Sequence, residues 1–175
     1  MAQETTATPL EELKTWLDKV IASLQHPQER RIGYGNARHE YSEWGTGDDQ
    51  VTNIAIIYEI PGGSTCQLNI TYNHADQTFS YLDEETGERI TTSSVDEIRQ
   101  LIEHELQGIP EKRRHSLFQQ VERWLGEGMS RSDVFAQLNK LLQAEFLGGR
   151  INNKELQAAV QYVVRTVQRG AASPP

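Results

Sequence analysis

Between residues 31 and 92 the apolar positions of this chain recur at every second residue, and on either side of that stretch they recur every three to four. A period of two sends successive side chains to opposite faces of a strand, whereas a period of 3.6 draws a stripe along a helix. The chain therefore reads as a block of strands bracketed by helices. The clearest strand is Thr65–Tyr72, where Cys66, Leu68, Ile70 and Tyr72 alternate with Thr65, Gln67, Asn69 and Thr71. Val51–Ile60 precedes it across Pro61-Gly62-Gly63-Ser64, a strong turn signal. Arg38–Trp44, Thr78–Leu82 and Arg89–Thr92 complete the set, with turns at Gly45–Asp49, Asn73–Asp76 and Glu84–Gly87. A parallel crossover needs about a dozen residues or more, and these connections are too short, so an antiparallel meander is expected.

The helices are marked at their ends. Thr8-Pro9-Leu10-Glu11 is a capping box with proline at the first helical position. Leu10, Leu13, Trp16, Leu17, Val20, Ile21 and Leu24 make its stripe, and His26-Pro27 ends it. Ser94-Val95-Asp96-Glu97 opens a second helix through Ile98, Ile102 and Leu106, with Gly108 as its expected stop. Pro110 starts a third, which carries Leu117, Phe118, Val121 and Trp124 to Gly126–Gly128. Ser130 or Ser132 caps a fourth through Val134, Phe135, Leu138, Leu142 and Phe146, and the last runs from Asn152 through Val167. The expected fold class is α+β: an N-terminal helix, a four- to five-stranded antiparallel meander, then four C-terminal helices. Residues 8–107 read as the sheet domain, and 110–169 as a helical region that is either a small bundle or a cover for the sheet. Residues 1–7 and 170–175 read as disordered ends.

Charge and composition narrow the function classes. The 175 residues carry 25 acidic and 17 basic side chains, a net charge of −8, and the imbalance lies in the first half. Residues 1–95 hold 15 acidic and 6 basic groups; residues 96–175 hold 10 and 11. An acidic half repels phosphate backbones, so no nucleic acid is expected as a partner. The densest basic pair, Arg113-Arg114, reads as solvated helix surface. No apolar run approaches the ~20 residues that span a bilayer, so no membrane insertion is expected. Met1–Thr6 lacks the basic and apolar regions of a signal peptide, and the single Cys suits a reducing compartment, which together point to the cytoplasm.

The search for reactive groups leaves little. Cys66 sits in the apolar half of its alternation, where a thiol is buried and inert. His26, His39, His74, His104 and His115 are scattered, and none forms the i, i+4 pair that puts two imidazoles on one helix face. Asp48-Asp49 and Asp83-Glu84-Glu85 lack the alternating oxygen ligands of a calcium loop. Gly33-Tyr34-Gly35 lacks the third glycine of a dinucleotide cradle. No catalytic residue, metal or cofactor is expected.

Apolar surface offers more. In Val51–Ile60, Ile54, Ile56, Tyr58 and Ile60 point one way while Val51, Ala55 and Ile57 point the other, and a strand apolar on both faces needs cover on both. Over Ala55 and Ile57, edged by Trp44, that cover comes either from the C-terminal helices folding back or from another protein or a second copy of the chain, and the second makes these residues partner-binding. Phe118, Trp124 and Phe135 are core residues by spacing and anchors for a partner if their helices leave a groove. The expected function is a non-enzymatic interaction module, such as an adaptor, assembly factor or chaperone-like protein, with Trp44, Ala55, Ile57, Phe118, Trp124 and Phe135 as partner-binding residues. A small hydrolase-type enzyme with a carboxylate/histidine site and a ligand-binding regulator are the alternatives. The order helix, meander, helix in a small acidic chain is similar in outline to the secretion-chaperone-like folds over residues 8–107. That resemblance implies a dimer that holds partner segments, and the helices after Pro110 depart from it.

Overall fold

The computed structural model of this chain describes residues 7–24, 33–62, 64–145 and 153–172. Helix α1 (Pro9–Leu24) starts on a reciprocal cap, with Thr8 N–H donating to Glu11 Oε2 at 3.3 Å and Glu11 N–H donating to Thr8 Oγ1 at 3.2 Å. Its stripe of Leu10, Leu13, Leu17 and Ile21 is buried. Strands β1 (Arg38–Trp44), β2 (Val51–Ile60), β3 (Ser64–Asn73), β4 (Thr78–Leu82) and β5 (Arg89–Thr92) form one antiparallel sheet in chain order. The meander is therefore five-stranded. Its β1–β2 register sets Tyr41 opposite Ile54 and His39 opposite Ile56 on one face, and Glu40 opposite Ala55 and Arg38 opposite Ile57 on the other.

Three helices follow the sheet among the described residues, where four were expected. Helix α2 (Val95–Gly126) runs through both Gly108 and Pro110 for 32 residues. The buried side chains explain why. Ile98, Ile102, Leu106, Ile109, Arg113, Leu117 and Val121 recur at three or four residues without a phase break, so one unbroken stripe is satisfied only by one unbroken helix. Proline removes one backbone donor and crowds the preceding turn, but tertiary burial outweighs that local preference. The helix ends where glycine allows it: Gly128 has φ +89°, its N–H reaches Leu125 O at 3.1 Å, and Met129 N–H reaches Trp124 O at 3.1 Å. This paired closure satisfies two terminal carbonyls.

Helix α3 (Arg131–Glu145) is capped by Ser130, whose Oγ accepts from Asp133 N–H at 3.2 Å, and α4 (Asn153–Ala172) is the last element. Phe146, Gly148-Gly149 and Asn152 lie outside the described residues, as do His26-Pro27, Gly63, residues 1–6 and residues 173–175. Gly170 belongs to α4.

The chain divides into two compact units. The first takes α1 to Ser23, Arg38–Ile57 and Gln67–Leu106. Leu13 and Leu17 of α1, Ile54, Ile56, Ile70 and Phe79 of the sheet, and Ile98 and Ile102 of α2 are among its fully buried side chains. The second takes Leu24–Ala37, the hairpin tip Tyr58–Cys66 and everything from Gln107. It has its own core, built from Leu117 and Val121 of α2, Val134, Leu138 and Leu142 of α3, and Leu156, Val160, Val163, Val164 and Val167 of α4.

Candidate functional site

The residues expected to bind a partner separate by burial. Ala55 and Ile57 are 4% and 6% exposed, so the two-faced strand is sealed within this chain and neither residue presents surface to a second molecule. The ladder gives part of the reason. Arg38 and Glu40 stand directly opposite Ile57 and Ala55, and their Nε and Oε1 meet at 3.3 Å. On β3, Gln67 Nε2 donates to Asn69 Oδ1 at 2.6 Å. The Arg38 and Glu40 side chains are themselves more than half exposed, so they cover the apolar strip only in part. Trp44, by contrast, is 65% exposed at the end of β1. Phe118, Trp124 and Phe135 are half-buried and pack against the core of the second unit.

A carboxylate and an imidazole do meet, at the surface of the first unit. His39 Nε2 lies 2.6 Å from Asp18 Oδ1, and Tyr41 OH donates to the same oxygen at 2.9 Å. A carboxylate only accepts, so His39 carries its proton on Nε2 there. Lys14 Nζ sits 4.8 Å from the centre of the Tyr41 ring. Slight burial works against ionisation of Asp18, but the hydrogen bonds from His39 and Tyr41 outweigh it and hold the carboxyl below its ordinary range. These contacts join α1 to β1. On the same sheet face, Thr52 Oγ1 and His74 Nε2 share a hydrogen bond of 2.7 Å, and His74 meets the edge of Tyr72. The Thr52 hydroxyl, which shares its hydrogen bond with the His74 imidazole, is fully buried and faces no solvent. Among the described residues no group of three His, Cys, Asp or Glu is placed to hold a metal ion, and no helix is long and apolar enough to cross a membrane.

The second unit contains a feature that adjacency in the sequence hides. Arg113, read as half of a solvated pair, is fully buried, and only Arg114 of the two is exposed. The Arg113 guanidinium donates to Glu59 O and lies against Gly35, whose φ of +54° and missing Cβ make the space. One turn further along, Ser116 Oγ donates to Pro61 O at 2.7 Å, and Arg123 donates to Gln120 Oε1 at 2.8 Å. These α2 side chains tie down the β2–β3 hairpin tip, and a polar cavity of about 320 Å³ lies there, lined by Ser64, Ser116, Gln119, Gln120 and Arg123 with Pro61 and Gly62.

A further concavity lies between α3 and α4. Phe135, Ala136 and Asn139 come from one helix, Gln157, Val160 and Gln161 from the other, and they enclose about 280 Å³. Each trio is spaced so that its members share a helix face. Phe135 and Val160 supply apolar contact. Asn139 Oδ1 is buried without a hydrogen-bond partner among the described residues, and the two glutamines form a polar rim. Of these six, only Phe135 was expected from sequence. The three amides, Asn139, Gln157 and Gln161, carry no signal beyond helical spacing, which reads equally well as solvated surface.

No family model matches this chain, and no curated protein or solved structure matches it either.

Proposed function

We propose that this chain is a non-enzymatic protein–protein interaction module, of the adaptor, assembly-factor or chaperone-like kind, working in the cytoplasm without a cofactor. The observation that carries this reading is the α3–α4 groove, with an aromatic floor at Phe135, an amide rim and a buried acceptor, Asn139 Oδ1, that has no hydrogen-bond partner among the described residues. A buried polar atom left unpaired costs about 1–3 kcal/mol, and a donor arriving on a bound segment would recover that cost. An apolar side chain flanked by a backbone or side-chain N–H fits the groove in both respects. Half-buried Phe118 and Trp124 of α2 pack against the core to which both groove helices contribute.

The test uses a variant that fills the groove without touching the core. Ala136 is exposed and lines it, so Ala136→Arg should leave the thermal midpoint unchanged. Affinity capture from the source cell with the wild-type chain should retain a partner protein, and Ala136→Arg should weaken that retention at least about 30-fold, the effect of losing one hot-spot contact. A partner captured equally by both chains would place its binding elsewhere; no partner at all would remove the reading.

A further inference from the structure

We infer that β1 pairs with β1 of a second copy of this chain, antiparallel and in the register centred on Tyr41. The inference rests on the interaction reading above and names one partner and one surface for it. β1 is an edge of the sheet and seven residues long, whereas the opposite edge, β5, has four. Arg38, Glu40, Ser42, Glu43 and Trp44 are all exposed along it. Only a two-fold axis at Tyr41 pairs all seven residues of the strand with its copy.

In that register every opposed pair is complementary. Arg38 faces the partner's Trp44, a guanidinium against an indole. His39 faces the partner's Glu43, and Glu40 faces the hydroxyl of the partner's Ser42. Tyr41 faces the partner's Tyr41, ring against ring. Each of the first three pairs occurs twice, and no like-charged pair is directly opposed. Charges on an edge strand ordinarily guard it against pairing. Here the same charges repel foreign strands and match their own copy, which is how specificity is built from both attraction and repulsion. The pairing also gives a place to Trp44, which is 65% exposed in the single chain. One strand edge buries less than the ~1,600 Å² of a standard stable interface, so the dimer is weak and concentration-dependent.

The full chain is tested by analytical ultracentrifugation between about 1 µM and about 1 mM, where a weak dimer of this size dissociates. Ser42 is exposed, so its variants are read against an unchanged far-UV spectrum and thermal midpoint. Ser42→Arg faces the partner's Glu40 twice and should tighten the dimer roughly 2- to 30-fold; Ser42→Glu should loosen it by a similar factor. The register is read separately. Chains carrying Glu40→Cys and Ser42→Cys, each with Cys66→Ser, should form a mixed disulfide when combined under mild oxidation. A chain that stays monomeric at about 1 mM, a dimer whose constant does not move in opposite directions in the two Ser42 variants, or failure of the mixed disulfide overturns the inference. A monomer that still retains a groove-dependent partner overturns only the self-pairing, whereas a monomer that retains nothing overturns the interaction reading as well.

Discussion

Gly35 and Arg113 share one piece of space, so a side chain at position 35 must displace the guanidinium. A Cβ built on Gly35 would run into the guanidinium, and its φ of +54° lies where a side chain is strained in any case. Gly87 also has a positive φ, +73°, but nothing stands near it. The pair separates two costs. Gly87→Ala should cost about 1 kcal/mol, from backbone strain alone. Gly35→Ala should cost about 2–4 kcal/mol, because strain and overpacking against a buried cation add. Urea unfolding of the two variants checks this, and equal losses would mean that Arg113 moves aside without penalty. Burial of Arg113 was legible in one respect only. Leu106, Ile109, Arg113 and Leu117 keep a helical phase, so the stripe itself pointed at position 113. Its charge and its neighbour Arg114 argued for solvent, because a long cation normally stays wet unless a buried acceptor meets it. That acceptor, Glu59 O, lies 54 residues away and has no sequence signature.

At the scale of elements, local signals placed three helix starts correctly, but gave a wrong stop at Gly108 and a wrong start at Pro110. Thr8, Ser94 and Ser130 each accept a backbone N–H three residues on, as their spacing predicted. The stop at Gly108-Ile109-Pro110 was overridden, because a continuous buried stripe outweighs one missing hydrogen bond. Pro110→Ala should therefore stabilise the chain by about 1–2 kcal/mol, restoring the donor at some expense in unfolded-state entropy. A loss of stability in thermal melts would show instead that the proline shapes α2. The β3 alternation was legible as a face but not as a gradient. Ile70 and Tyr72 are buried, whereas Leu68 and Cys66, nearer the hairpin tip, are only half-buried. Ile70→Ala should then cost about 2–5 kcal/mol and Leu68→Ala about 1–2 kcal/mol. The reverse order in chemical denaturation would place the centre of the core nearer the tip.

For the whole molecule, the sequence carried the order of helices and strands and the acidic balance, but not the groove. Phe135, Ala136 and Asn139 meet Gln157, Val160 and Gln161 through the pairing of two helices, a tertiary event to which no single stretch testifies. The same holds for Asp18, which joins α1 to β1 across 21 residues. That clasp has a pH signature at both ends of the scale. Asp18 is more acidic in the folded chain than its ordinary 3.8, so its contribution to stability is complete above that pH and is lost as pH falls further. Tyr41 moves the other way: burial first, then the hydrogen bond and charge of Asp18, raise it above its ordinary 10.0. Its contribution is complete below pH 10.0 and is lost as pH rises beyond it. Thermal midpoints measured by circular dichroism from pH 2 to pH 12 should show a plateau between about pH 4 and pH 10 with a limb on each side. Tyr41→Phe should flatten the alkaline limb and keep most of the acid one, because His39 still holds Asp18. Asp18→Asn should weaken both, since it removes one titrating group and part of what raises the other. A pH profile of Asp18→Asn superimposable on that of the wild type, apart from a uniform offset, would mean that the clasp does not couple α1 to β1 through charge.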